Sequence, residues 1–256
     1  MIILLSPSKT LNFEDELISP ASTAPRLLKH TEMLLSTLKK KPAHEIQKLM
    51  GISDRLAQLN FERFQSFPAT GKGKGSRSAL LAFRGDVYQG FELQDYSKKD
   101  FEFAQAHLVI LSGLYGYLRP LDAIFPYRLE MGTKLKTPKG KDLYSFWGDT
   151  LTRQLESDLT SKKHKEVLNL ASQEYSKSIN FKNLSVPAID VDFKILKNGS
   201  LRTIALFAKK ARGLMANYIV RNRIKSSKEL IDFQEEGYRY NSKLSSSQKF
   251  VFVKKG

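Results

Sequence analysis

The sequence of 256 residues predicts a mixed α/β (α+β) fold in a single domain, with a mixed sheet and flanking helices. Three observations carry this. Short apolar runs of strand character interleave with stripes at helical spacing, the pattern of helices packed on a sheet. Asn198-Gly199 separates two alternating segments, a strong hairpin signal. No internal repeat and no long linker divides the chain, so residues 1–256 read as one unit.

The elements follow in order. Ile2–Leu5 is an apolar run stopped by Ser6-Pro7 and reads as a buried strand. Pro7 and Pro20 bracket an irregular segment. Pro25 suits a helix start, and Leu27, Leu28, Thr31, Leu34, Leu35 and Leu38 form a stripe running down to Lys39. Pro42 ends it. Shorter helices follow at 43–50 and 54–64. Residues 68–76 form a loop with the tip Gly71-Lys72-Gly73-Lys74-Gly75. Residues 78–83 and 101–107 read as helical, and 108–111 as a strand. Residues 142–159 are predicted as one helix, with Leu143, Phe146, Trp147, Leu151 and Leu155 on one face. A strand at 167–170 and hairpin arms at 186–196 and 201–207 come next. A helix at 209–223 and a strand at 250–253 complete the chain.

The chain has 42 Lys and Arg against 26 Asp and Glu, a formal charge of +16. Such an excess attracts polyanions, and the usual cytosolic polyanion is nucleic acid. There is no cysteine. Disulfides, thiolate nucleophiles and Cys-ligated zinc or iron–sulfur clusters are thereby excluded. The apolar start lacks the basic flank and length of a signal peptide, and no run approaches a membrane span. The expectation is a cytoplasmic protein without a membrane partner.

Residues 111–132, LSGLYGYLRPLDAIFPYRLEMG, are rich in turn formers yet apolar and aromatic. That composition suits an ordered loop held inside the fold, where sites are commonly built. If 127–131 is extended, Arg128 and Glu130 share one face and Tyr127 and Leu129 the other. An Arg–Glu pair on one face is most often structural; a carboxylate held as a general base is the sharper alternative. Ser6-Pro7-Ser8-Lys9-Thr10 follows a strand directly, a common way to present donors to an anion.

In and just before the helix at 209–223, Lys209, Arg212, Ala216 and Arg223 fall on one face and Phe207, Ala211, Leu214, Met215 and Tyr218 on nearly the opposite one. Gly213 costs about 1 kcal/mol against Ala in a helix, which points to a close approach or to packing there. Residues 43–64 have the form of a helix–hairpin–helix unit around Gly51, whose second helix would offer free amides to a phosphate. Ser53 stands where that motif usually has glycine, and Asp54 would repel a phosphate. The Gly71–Gly75 tip has the wrong spacing for a phosphate loop. His30, His44, His107 and His164 are scattered, without metal-ligand spacing or a nucleophile partner.

Six stretches together resemble one family. They are ILLSPSKTL at 3–11, FRGDVYQG at 83–90, all of 111–132, KGKDLYSFWGD at 139–149, NLASQEYSK at 169–177 and AKKARGLM at 208–215. In this order, over nearly the full chain, they look like the YaaA family, bacterial proteins named for peroxide stress resistance. The resemblance implies a single domain of unusual topology with a basic cleft, a cytosolic location, DNA binding and a role in limiting oxidative damage. It brings no settled reaction, and the Gly71–Gly75 tip is not part of its pattern.

Two functional expectations result. In the first, the chain binds DNA largely without sequence preference. Lys9, Arg119, Arg128, Lys209 and Arg212 line the cleft and the Gly51 turn adds amide contacts. In the second, it is an enzyme acting on a nucleotide or nucleobase through loops 6–10 and 119–130, with Tyr127 and Glu130 as catalytic candidates. Iron handling fits poorly with scattered histidines and no cysteine, and neither a metal nor a cofactor is expected.

Overall fold

The structure, a computed structural model, describes residues 1–14, 17, 20–68 and 73–256. Ile2–Leu5 pairs in parallel with Leu108–Ser112 on one side and Val167–Asn169 on the other. Val167–Asn169 runs parallel to the start of Ala188–Lys197, which is itself parallel to Lys249–Lys255. These five parallel strands are flanked by antiparallel ones. Gly116–Leu118 lies outside Leu108–Ser112, Arg239–Tyr240 outside Lys249–Lys255, and Ser200–Arg202 folds back on the end of Ala188–Lys197. All four residues of Ile2–Leu5 are buried, as expected of a parallel strand covered on both faces. One apolar cluster runs from Met1 to Phe252 and joins the helices to the sheet.

The predicted hairpin forms at Asn198-Gly199, where both residues have positive φ, the requirement of the tightest hairpin turn. Its second arm is shorter than predicted: Ser200–Arg202 is strand, and the helix Ala205–Asn222 already occupies the rest. The single helix predicted at 142–159 is two, Leu143–Trp147 and Thr150–Ser161. Gly148, at φ 44°, breaks the run. The apolar stripe survives the break, with Leu143, Phe146, Trp147, Leu151 and Leu155 all buried. The first predicted helix spans Leu28–Leu38, a turn beyond Pro25.

The helix Lys98–His107 starts earlier than predicted, behind a Ser97–Asp100 capping box that reciprocally satisfies two end amides. Of the predicted 78–83 helix only Ala79–Ala82 is helical. Its flanks pair instead, Arg77–Ser78 with Ala123–Ile124 and Phe83–Arg84 with Thr10–Leu11. Ala43–Met50 and Asp54–Gln65 form the predicted helix pair around Gly51. Gly71 and Lys72 of the glycine-lysine tip lie outside the described residues.

Candidate functional site

Strand order locates the site. From Ile2–Leu5 the chain passes first to Leu108–Ser112 on one side and returns later to Val167–Asn169 on the other. The loops leaving the carboxyl ends of Ile2–Leu5 and Val167–Asn169 therefore diverge. In open α/β sheets the crevice outside such a switch point is where ligands bind. A cleft of about 560 Å³ opens there, walled by residues 6–10, 85–87, 127–130 and 172–175 and closed by Lys209 and Arg212.

Ser6 ties the diverging loops together. Its Oγ accepts from the Ser172 backbone N–H at 2.8 Å and donates to Ser172 Oγ at 3.2 Å. Its carbonyl accepts from the buried Tyr88 hydroxyl at 3.0 Å. The SPSKT loop, predicted to present donors, is thus braced at its first residue and open at Lys9.

Residues 127–131 alternate between buried and half-buried, as predicted for an extended segment. Tyr127 points inward, its hydroxyl 2.6 Å from Ser112 Oγ. Burial pushes its phenol well above the usual range, so at neutral pH it holds its proton and serves as a hydrogen-bonding group rather than a base. Arg128 and Glu130 point into the cleft, joined at 3.1 Å. The other Glu130 oxygen meets Lys9 Nζ at 2.6 Å. On the far wall, Glu174 Oε1 accepts from the Gly132 backbone N–H at 2.9 Å, and Lys209 Nζ lies 3.5 Å from Asp86.

Arg212 differs from these. Its Nε is enclosed by protein and has no hydrogen-bond partner. Among the described residues no carboxylate lies within ion-pair distance of its guanidinium, and the group lines the cleft. Burial lowers its pKa from the usual value, with Asp192 and Asp190 opposing. A guanidinium has no neutral form near neutrality, so a charge stays in the cleft, offset only through space by Asp192 and Asp190. Arg128 Nε is likewise enclosed and unsatisfied.

Six predicted residues thus come together: Lys9, Tyr127, Arg128, Glu130, Lys209 and Arg212. Two do not. Arg119 is turned onto Asp122, its Nη2 donating at 2.7 Å to the fully buried carboxylate and at 3.2 Å to the Ala24 carbonyl. It braces the RPLD turn. Gly51 caps the Ala43–Met50 helix in the left-handed region, away from the residues that line the cleft. Ser53, in the position usually glycine, accepts from the Leu56 amide, taking one of the first-turn donors a phosphate would use.

The predicted basic face of the last long helix is not a solvated stripe. Ala216 is buried, Arg212 enters the cleft, and Arg223 pairs with Asp100 at 3.0 Å. Sequence reading assigned no role to Asp86, Ser172 or Glu174. All three lie in the family-like strings, but their cleft neighbours are far away in the chain. Among the described residues no group of three or more His, Asp or Glu side chains is placed to hold a metal ion. No helix among them is long and apolar enough to cross a membrane.

Fold and cleft together define an open, mostly parallel α/β protein with a crevice of mixed charge at its switch point. The family model for peroxide stress protein YaaA matches residues 1–244, and the chain belongs to that family. Its place is accordingly among proteins of the peroxide and oxidative stress response.

Proposed function

We propose that this cytoplasmic protein serves the peroxide response by binding DNA, largely without sequence preference, with the cleft holding a phosphate-bearing nucleotide unit on Arg212. The observation that carries this reading is the enclosed, unpartnered Nε of Arg212, on a side chain that lines the cleft without an ion-pair partner among the described residues. Arginine suits phosphate because its planar fork donates two parallel hydrogen bonds. Lys9 and Lys209 stand at the mouth, and the charge of +16 supplies long-range attraction. The remaining first-turn amides beyond Gly51 offer a second phosphate contact.

Anisotropy titration of a labelled duplex tests this. A protein making 6–10 phosphate contacts loses roughly 10³–10⁵ in affinity between 50 and 200 mM salt. Arg212→Gln should weaken binding about tenfold, the worth of a hydrogen bond to a charged group. A flat salt response, or an unchanged Arg212→Gln, sinks the proposal.

A second reading is favoured by the size of the cleft. At about 560 Å³ it falls in the range that encloses one small ligand. In this reading the protein is an enzyme acting on a nucleotide or nucleobase. Arg212 holds the phosphate and Glu130, displaced from Lys9 by substrate, serves as base. Product formation from mononucleotides, abolished in Glu130→Gln while duplex affinity does not fall, would support it.

A further inference from the structure

The amino-terminal edge of the same sheet carries another concave surface, at the opposite end of the strands from the cleft. A strand of four residues spans roughly 13 Å, so the two are distinct. Met1, His107 and Lys165-Glu166 lead directly into three neighbouring strands. Around these strand starts lies a depression of about 590 Å³, lined by Lys162, Lys163, Lys165, Lys225 and both His107 and His164.

The charge here is almost of one sign. The single lining carboxylate, Glu166, is anchored by Ser227, accepting from its backbone N–H at 2.5 Å and from its Oγ at 2.8 Å, and it offsets only part of the positive charge. Lys162 lies 3.9 Å from Asp158 and donates to the Ala106 carbonyl at 3.4 Å. Among the described residues no carboxylate lies within ion-pair distance of Lys163, Lys165 or Lys225.

The two imidazoles meet edge to face, ring centroids 4.8 Å apart. His107 Nδ1 lies 2.8 Å from the Met1 carbonyl, and His164 Nε2 3.3 Å from the Ala106 carbonyl. A carbonyl only accepts, so both ring nitrogens are N–H donors there. His164 Nδ1, 3.2 Å from the Met1 ammonium, is left as the acceptor. Burial, the Met1 ammonium and the nearby lysines hold both imidazoles below their usual range.

Concave surfaces lined by one sign of charge focus the field and concentrate counter-ions. Like charges gathered with too few carboxylates to balance them weaken the fold that gathers them. An anion removes that repulsion and gains ammonium donors from several directions.

We propose that this depression is an anion site, separate from the cleft, for a compact and multiply charged phosphate group, free or on a nucleic-acid strand. Binding also takes up protons. Bound negative charge opposes Lys162, Lys225 and the Met1 ammonium, the groups that face His107 and His164 alongside Glu166.

Calorimetric titration of the full chain with tripolyphosphate, at fixed ionic strength, tests the site. Saturable binding is expected, weakened about tenfold or more in the double variant Lys165→Gln/Lys225→Gln. That variant should melt no lower than the parent without the anion, because it loses only repulsion. Run in the Arg212→Gln background, where the cleft has lost its phosphate-holding guanidinium, the same titrations should still show saturable binding and its loss on adding Lys165→Gln/Lys225→Gln. Short duplex DNA added in the Arg212→Gln background separates the sources. Competition with tripolyphosphate assigns the site to strand phosphates, and no competition assigns it to a free anion. Absence of saturable binding, or equal affinity in parent and double variant, overturns the proposal.

Discussion

Lys9 Nζ and Glu130 Oε2 meet 2.6 Å apart, joining the loop after the first strand to the 111–132 block across the mouth of the cleft. Lys9 is 61% exposed, so the pair is a gate of low strength. Exposed pairs of this kind are worth at most about 1 kcal/mol. In the proposed function, incoming phosphate would compete with Glu130 for Lys9 and Arg128.

Glu130→Gln should therefore shift the melting temperature by only a few degrees, as about 1 kcal/mol does in a domain of this size. Duplex affinity should not fall, because one repelling charge has gone. Thermal melts and anisotropy titrations check this. A marked loss of affinity would give Glu130 a binding role that its two ion pairs do not suggest.

Gly213→Ala should be disruptive although alanine is the better helix former by about 1 kcal/mol. A Cβ on Gly213 would run into the Val87 carbonyl, and one on Gly90 into the Leu214 amide. The two glycines let the Tyr88–Gly90 turn lie directly on the helix that carries Lys209 and Arg212. Overpacking against backbone should cost about 3 kcal/mol, read from the denaturant midpoint. A stabilised variant would mean the contact relaxes freely.

Arg119→Met should damage stability and spare binding. It leaves Asp122, with no exposed surface, holding only Thr23 Oγ1 and the residue-119 backbone N–H. Removing one partner of a buried pair costs about 3–5 kcal/mol. Those remaining donors place the expected loss at about 3 kcal/mol. Below the unfolding transition, duplex affinity should match the parent. A binding defect in the folded variant would return Arg119 to the cleft.

Acid should weaken the fold through His164. Burial first, then the Met1 ammonium and His107, lower its pKa from 6.5 to about 4. Between those values the unfolded chain binds the proton more readily. Stability is therefore fully present above about pH 6.5 and is lost as pH falls toward 4. His107 shifts in the same direction and adds to the slope. In His164→Asn this acid limb should flatten, measured as denaturant midpoint against pH in phosphate-free buffer. An unchanged slope would assign the limb to other groups.

How much was legible in the sequence depends on the range of each interaction. Ile2–Leu5, the Ala43–Met50 helix and the Asn198-Gly199 turn announce themselves through local pattern, and they form where predicted. The break at Gly148 was not legible, because the apolar stripe continues across it and an isolated glycine is tolerated in a helical pattern. Arg119 carried a readable warning: Asp122, three residues on, is its partner. The other failures are long-range. Nothing near Glu174 in sequence says that it will hold the Gly132 amide, 42 residues away. Asp86 meets Lys209 only because the two glycines bring their segments together. The side chains of the cleft were nameable one by one, while their pairing had to wait for the sheet order.

That sheet order sets a timetable for biosynthesis. Ile2–Leu5 is made before either of its neighbours and occupies the middle of the sheet, and both partners follow much later. At 5–20 residues per second, roughly 5–20 s pass between Leu5 and Leu108. Throughout that interval the most apolar stretch of the chain has two unpaired edges, a standing invitation to aggregate or to be held by a chaperone. The cleft is finished later still, when Lys209 and Arg212 dock. The walls of the cleft therefore come together only after the chain has been made through Arg212.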